Sequence, residues 1–291
     1  MKHWRFIDSG PSNAAFNMAL DEVLLGRVAA GESPPVLRVY RWSEPSVSLG
    51  YHQKLERELD LGLCRSRGVE VVRRPTGGRS VYHDLELTYS LCAPGDTDIL
   101  GDSISSTSAA VAGAIRMSLE LLGFIADIPQ KHKTGTVQRG AAGMRNPCFT
   151  SASRHEVTTE GRKLVGSAQL RLPGGEAFLQ QGSLLLANSQ QVLVELKPGC
   201  TDQAQREKLK NSLNLAVTSL GDILGREVSY QETADCFRTG FTRYFGIELL
   251  ADGPEPDEIR MAEQLAEERY LSKEWLAGSG RKARLGEQVA G

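Results

Sequence analysis

Arg73-Arg74-Pro75-Thr76-Gly77-Gly78-Arg79-Ser80-Val81-Tyr82-His83-Asp84 joins an apolar run, Val69-Glu70-Val71-Val72, to an alternating one, Leu87-Thr88-Tyr89-Ser90-Leu91. The first run is short and β-branched, and the second alternates as a half-buried strand does, so the segment reads as strand, loop, strand. Two glycines give the loop access to positive φ and to close approach by a ligand, and three arginines offer planar forks for anions or carbonyls. The plainer alternative is a hairpin whose arginines face water. The length of the loop, its charge, and its aromatic and imidazole side chains favour a ligand clamp.

A second segment adds chemistry. Asn146-Pro147-Cys148-Phe149 is followed by His155-Glu156-Val157-Thr158-Thr159-Glu160-Gly161-Arg162-Lys163-Leu164-Val165-Gly166-Ser167-Ala168-Gln169, then by Gln181-Gly182-Ser183-Leu184. Glu160-Gly161 reads as a tight turn between two strands. Period-2 alternation puts Leu164, Gly166 and Ala168 on one face and Lys163, Val165, Ser167 and Gln169 on the other. Gly166-Ser167-Ala168 is too small to fill a core by itself, so something else is expected to pack over it. By residue type alone, Lys163 is a solvated lysine at a strand start and Cys148 a small buried hydrophobe. The five cysteines, Cys64, Cys92, Cys148, Cys200 and Cys236, are odd in number and never spaced CxxC, which suggests neither a disulfide framework nor a zinc site.

Outward from these segments, Trp4–Asp8 reads as an opening strand and Ser9–Ser12 as a turn and helix start. Phe16, Leu20, Val23 and Leu24 then recur at helical spacing, with Asn17 and Asp21 beside the stripe as a solvated or capping face. Val36–Trp42 and Val47–Gln53 read as strands, and about Ser103 to Leu122 as a helix with Val111, Ile115, Leu119 and Leu122 inward. Residues 131–145 are basic and aperiodic, a lid candidate. From about Thr201 the text turns helical, with stripes at Leu209, Leu213, Val217, Leu220 and Leu224, at Phe237, Phe241 and Phe245, and from Ile259 to Leu271. The expected division is a catalytic domain over 1–200, a helical region over 201–276 and a disordered tail over 277–291. A net charge of −2 in 291 residues argues against a nucleic-acid binder. No apolar run suits a membrane span and no signal-peptide core opens the chain, so a cytoplasmic protein is expected.

RRPTGGRSVYHDLELTYS resembles the lipoyl/octanoyl branch of the biotinyl/lipoyl protein ligase and transferase family, whose members attach lipoate, octanoate or biotin to a carrier-protein lysine. The resemblance implies that Arg73, Arg74, Gly77, Gly78, His83 and Asp84 shape an acyl tunnel, with Thr76, Arg79, Gly166, Ser167, Ala168 and Gly182 around it. GRKLVGSAQ is similar to the family element in which a lysine, here Lys163, contacts the acyl carbonyl or the activated phosphate. Asn17 and Asp21 fall in a pattern similar to the family's first helix, and Gly50-Tyr51-His52-Gln53 resembles its G-x-x-Q beside the pocket. One branch carries a cysteine in an Asn-Pro-x-Cys-Phe context; Asn146-Pro147-Cys148-Phe149 is one residue shorter and implies Cys148 as the nucleophile of an acyl thioester. Arg79, where ligases have a third glycine, and Glu86-Leu87-Thr88-Tyr89 point toward the octanoyltransferases.

The implied fold is α/β (α+β), a mixed β-sheet flanked by helices as in the biotin/lipoate ligase catalytic domain, with a small helical C-terminal region. The implied activity is transfer of octanoate from octanoyl-acyl carrier protein through Cys148 to a lysine of a lipoyl-domain protein, with the glycine cleavage H protein favoured and no cofactor or metal required. Lys163 would favour the thiolate and stabilise the oxyanion. Lys131, Lys133, Arg139 and Arg145 are expected to steer an acidic carrier protein. The rival readings are an ATP-dependent lipoate ligase, an amidotransferase between lipoyl domains, and a binding module without catalysis.

Overall fold

In a computed structural model the protein is described over residues 3–129, 156–199 and 202–279. Cys148, Cys200, His155, the basic stretch 131–145 and residues 280–291 lie outside these. Among the described residues the strands are β1 His3–Ser12, β2 Val36–Trp42, β3 Ser46–Leu49, β4 Glu70–Arg73, β5 Val81–His83, β6 Glu86–Pro94, β7 Thr158–Thr159, β8 Arg162–Lys163, β9 Val165–Arg171, β10 Ala177–Leu185 and β11 Glu248–Asp252. The helices are α1 Ala14–Ala29, α2 Leu55–Glu58, α3 Leu61–Ser66, α4 Ile104–Leu121, α5 Val192–Glu195, α6 Gln203–Ala216, α7 Leu220–Leu224, α8 Tyr230–Phe245, α9 Pro256–Leu265 and α10 Lys273–Ala277.

Six strands form the central sheet in the order β11-β1-β2-β6-β10-β9. β11, β1 and β2 are parallel, and β2, β6, β10 and β9 are antiparallel neighbours. The parallel pair β1–β2 requires a crossover, which α1 supplies. Alternation along β2 sends Leu37 and Val39 to the side of α4 and α8, and Val36, Tyr40 and Trp42 to the side of α1 and α9. The result is the mixed sheet between two helical layers that the sequence implied. A second sheet, β4-β3-β5, sits beside the first, and β7-β8 form a two-stranded hairpin.

The structure departs from the sequence reading in several elements. β1 continues through Ser12, where a turn was expected; its register against β2 shifts between Asp8 and Pro11, next to Gly10 at φ +64°. Asn13 then caps α1, its Oδ1 accepting from the Phe16 N–H at 2.8 Å. β3 stops at Leu49 instead of running on to Gln53, because residues 50–53 close a turn in which the Gln53 N–H donates to the Gly50 carbonyl. β4 and β5 do not make a hairpin with each other; each pairs with β3 between them. The stretch after residue 201 is not wholly helical, since β11 pairs with β1 at the sheet edge and α8 packs on α4. The stripe from Leu209 to Leu224 is split at Val217, which forms a parallel bridge with Lys163. No helix among the described residues is long and apolar enough to cross a membrane.

Candidate acyl-binding site

A cavity of about 470 Å³ opens between the edge strand β9, the N-terminal half of α4 and the loop carrying Gly77 and Gly78. Its size falls in the range of small-molecule sites. Ser167, Ala168 and Gln169 of β9 form one wall, Ala112 and Ile115 of α4 another, and Gly77 and Gly78 close it. Small side chains on an edge strand leave room that a larger residue would fill. At Gly182, on β10 opposite Ser167, a Cβ would lie 2.3 Å from Cε1 of Tyr89, so this glycine seats the Tyr89 ring. The Tyr89 hydroxyl is 2.8 Å from the Ser167 Oγ, tying the ring to the cavity wall.

The Gly77-Gly78 loop is held from behind. Arg74 donates from Nη1 to the Ser48 carbonyl and Oγ, both at 3.0 Å, and from Nη2 to the carbonyls of Gly77 at 2.6 Å and Arg79 at 2.7 Å. Arg73 donates to the carbonyls of Gly50, Tyr51 and Gln53 and to those of Trp275 and Leu276 in the C-terminal segment. Trp275 returns a bond from Nε1 to the Arg73 carbonyl at 2.9 Å. Both guanidiniums are buried and bind backbone carbonyls, and neither lies among the cavity-lining residues. Gly78 has φ +90°, which favours glycine, and a Cβ on Gly50 would meet the Gly78 carbonyl oxygen at 2.0 Å.

His83 is also buried behind the loop. Its Nε2 is 2.7 Å from the Ser48 Oγ, its Nδ1 is 2.6 Å from Glu86 Oε1, and Trp42 stacks on its ring with centroids 4.0 Å apart. Glu86 further accepts from Thr88 and Ser183. The Ser48, His83 and Glu86 side chains follow the order of a nucleophile, base and acid, but all three are buried, so the arrangement braces β3, β5 and β6. Asp84 is exposed in the turn before β6, and Arg79 offers its carbonyl to Arg74. Thr76 turns its hydroxyl onto Gln181 Oε1 at 2.8 Å. Of the residues singled out in the sequence, the structure brings Gly77, Gly78, Ser167 and Ala168 onto the cavity, with Gly166 and Gly182 in the adjoining strands.

Lys163 does not itself line this cavity but is bonded to a residue that does. Its Nζ donates to Glu156 Oε1 at 2.5 Å, both side chains are largely buried, and Glu156 lines the cavity. The β7-β8 hairpin fixes Lys163 opposite Thr158, with Glu160 at φ +50° and Gly161 at φ +76° in the turn, and the Lys163 carbonyl accepts from the Thr218 N–H. Sequence reasoning gave Glu156, Tyr89 and Gln180 no part in the site. The hairpin turn at Glu160-Gly161 carries a usable signal for Glu156, because it folds the preceding segment back toward Lys163.

A mixed sheet between helical layers, with a cavity at its edge strand lined by small residues and closed by a glycine loop, is the build of a protein that binds a small molecule. Within that class, the family described as lipoyl protein ligase A/B catalytic domain matches residues 13–242, and the chain belongs to it. An octanoyltransferase LipM of Kyrpidia tusciae is 37% identical over 275 residues, covering 94% of this chain and 98% of its own. That of Moorella thermoacetica is also 37% identical over 275 residues, covering 94% and 97%. Among solved structures, a lipoate-protein ligase A bound with ATP superposes with a TM-score of 0.73 at 25% identity, covering 95% of this chain and 99% of its own. The bipartite lipoate protein ligase of Thermoplasma acidophilum gives 0.76 at 26% identity, covering 96% and 97%.

Proposed function

We propose that the protein is an octanoyltransferase of protein lipoylation, taking its acyl group from octanoyl-acyl carrier protein and passing it to a lysine of a lipoyl-domain protein, with the glycine cleavage H protein the favoured acceptor. The observation that carries this reading is the cavity roofed by Gly77-Gly78, with Glu156, the partner of Lys163, in its wall, in a chain that matches octanoyltransferases over nearly its full length.

In the proposed reaction the Cys148 thiolate attacks the carbonyl of the donor thioester, the C–S bond to the carrier breaks, and the carrier leaves as a thiolate that takes up the proton Cys148 gave up. The acceptor lysine, as the free amine, then attacks the Cys148 thioester. An amide bond forms, the C–S bond breaks, and the amine proton passes to the departing thiolate. A thioester is already activated, so neither step consumes ATP. The Lys163 ammonium, held by Glu156, supplies positive charge where the carbonyl oxygen turns into an oxyanion. The apolar cavity wall of Ala112, Ile115 and Val157 takes the alkyl chain. Under this reading Arg73, Arg74, His83 and Thr76 shape the pocket from behind, and Lys131, Lys133, Arg139 and Arg145 guide the acidic donor.

The test mixes the protein with octanoyl-acyl carrier protein and apo H protein without ATP, and follows the acceptor by intact mass. One octanoyl group per acceptor, abolished in Cys148→Ser and strongly reduced in Lys163→Ala, is expected. Acceptor modification only with free lipoate and ATP would overturn the reading in favour of a ligase.

A further inference from the structure

The helix-α1 residues Asn17 and Asp21, which sequence reasoning left open between a family motif and a solvated or capping face, are buried under the sheet with no exposure. Asp21 accepts four hydrogen bonds. Arg38 Nη1 and Ser90 Oγ reach Oδ1 at 2.7 and 2.6 Å, and Tyr40 OH and Gln181 Nε2 reach Oδ2 at 2.9 and 2.7 Å. Three of these donors occupy one transverse row of the sheet, because Arg38 is in register with Ser90 and Ser90 with Gln181, across β2, β6 and β10. The same row ends on β9 at Ala168, a residue of the cavity wall.

The amide of Gln181 has two chemically different ends. With Nε2 donating to the Asp21 carboxylate, Oε1 is the end left to face the loop, where it accepts from the Thr76 hydroxyl at 2.8 Å. A carboxylate can only accept, so the charge on Asp21 fixes the orientation of Gln181, and Gln181 fixes the side on which Thr76 must donate. Thr76 in turn accepts at its carbonyl from the Tyr51 N–H at 2.9 Å and is followed directly by Gly77 and Gly78. A buried, fully partnered chain of this kind specifies one arrangement, since each alternative leaves a polar group unsatisfied.

We propose that Asp21, Gln181 and Thr76 form a positioning relay that sets the height of the Gly77-Gly78 roof over the acyl cavity. These residues do not touch the reacting atoms. Their contribution is to the binding of the acyl donor, and in that kinetic part the proposal rests on the octanoyltransfer reading. Arg38, Ser90 and Tyr40 complete the carboxylate's partners, so the relay is anchored in the sheet and delivered to the loop.

Thr76→Val keeps shape and removes the hydroxyl, and Thr76→Ser keeps the hydroxyl. In the ligand-free protein, exchange of the Tyr51 amide, whose acceptor is the Thr76 carbonyl, is expected to rise about tenfold in the valine variant and to stay near wild type in the serine variant, the scale of one lost buried hydrogen bond. With octanoyl-acyl carrier protein, KM is expected to rise about tenfold for Thr76→Val with kcat within about twofold, and Thr76→Ser to restore KM. If the valine variant folds too poorly to measure, Gln181→Met breaks the same contact at constant chain length. Unchanged Tyr51 exchange and KM, or equal effects of valine and serine, would overturn the relay. A wild type inactive with this donor would overturn the octanoyltransfer reading alone, leaving the exchange comparison to decide the relay.

Discussion

Gly182→Ala perturbs the packing of Tyr89 behind the cavity wall. The added Cβ would lie 2.3 Å from Cε1, 2.6 Å from Cζ and 2.7 Å from the hydroxyl oxygen of Tyr89. Ordinary carbon contacts are about 3.5–4.0 Å, so the ring must recede by more than about 1 Å. Tyr89 is fully buried and packs against Phe237 with ring centroids 5.8 Å apart, so that displacement disturbs the core behind it. Overpacking of a closed core costs about 1–3 kcal/mol, to which weakening of the Tyr89–Ser167 bond adds. At about 2–4 °C per kcal/mol for a protein of this size, Tm should fall by roughly 2–12 °C. Urea and thermal unfolding followed by circular dichroism measure both quantities, and Tyr89→Leu in the same background should recover part of the loss through non-additivity. A stability within about 0.5 kcal/mol of wild type, or additive behaviour in the double variant, would refute the packing argument.

Asp21→Asn leaves the buried Arg38 guanidinium without its counter-charge and should cost about 3–5 kcal/mol by equilibrium denaturation; a neutral result would mean that Arg38 finds another anion. Gly50→Ala puts a methyl group 2.0 Å from the Gly78 carbonyl oxygen, which is backbone and cannot swing aside, so the roof must move and acyl transfer should drop about 100-fold, with normal activity the contrary outcome. Burial raises the thiol of Cys64 to about 11 and that of Cys92 well above the usual value, and it also raises Cys236, so all three stay protonated at pH 8, with a thiolate fraction near one in a thousand for Cys64. Iodoacetamide at pH 8, mapped by peptide mass spectrometry, should therefore label Cys148 well before these three. Labelling of Cys64 or Cys92 as fast as Cys148 would contradict this.

The fold was legible where patterning is local and strong. The β-branched and alternating runs gave β2 and β6, and the apolar stripe of α4 gave that helix nearly to the residue, the structure adding Ser103 as its cap. β11 was not legible, because Glu248-Leu249-Leu250-Ala251-Asp252 is a short parallel edge strand with four of its five positions exposed, and its pairing with β1 is set by tertiary packing rather than by any period. Of the loop of residues 73–84, Gly77 and Gly78 line the cavity, while Arg73 and Arg74 act on backbone carbonyls as staples, a role that composition cannot distinguish from a clamp on an anion. Asp21 and Gln181 were illegible as partners for a related reason, since a row across three strands joins residues far apart in sequence.

The measurement closest to the central claim is the intact mass of wild type and Cys148→Ser after incubation with octanoyl-acyl carrier protein in the absence of ATP. The account expects one hydroxylamine-labile octanoyl adduct on wild type and none on the serine variant. No adduct on wild type, with acyl transfer appearing only once ATP and free lipoate are supplied, would contradict it.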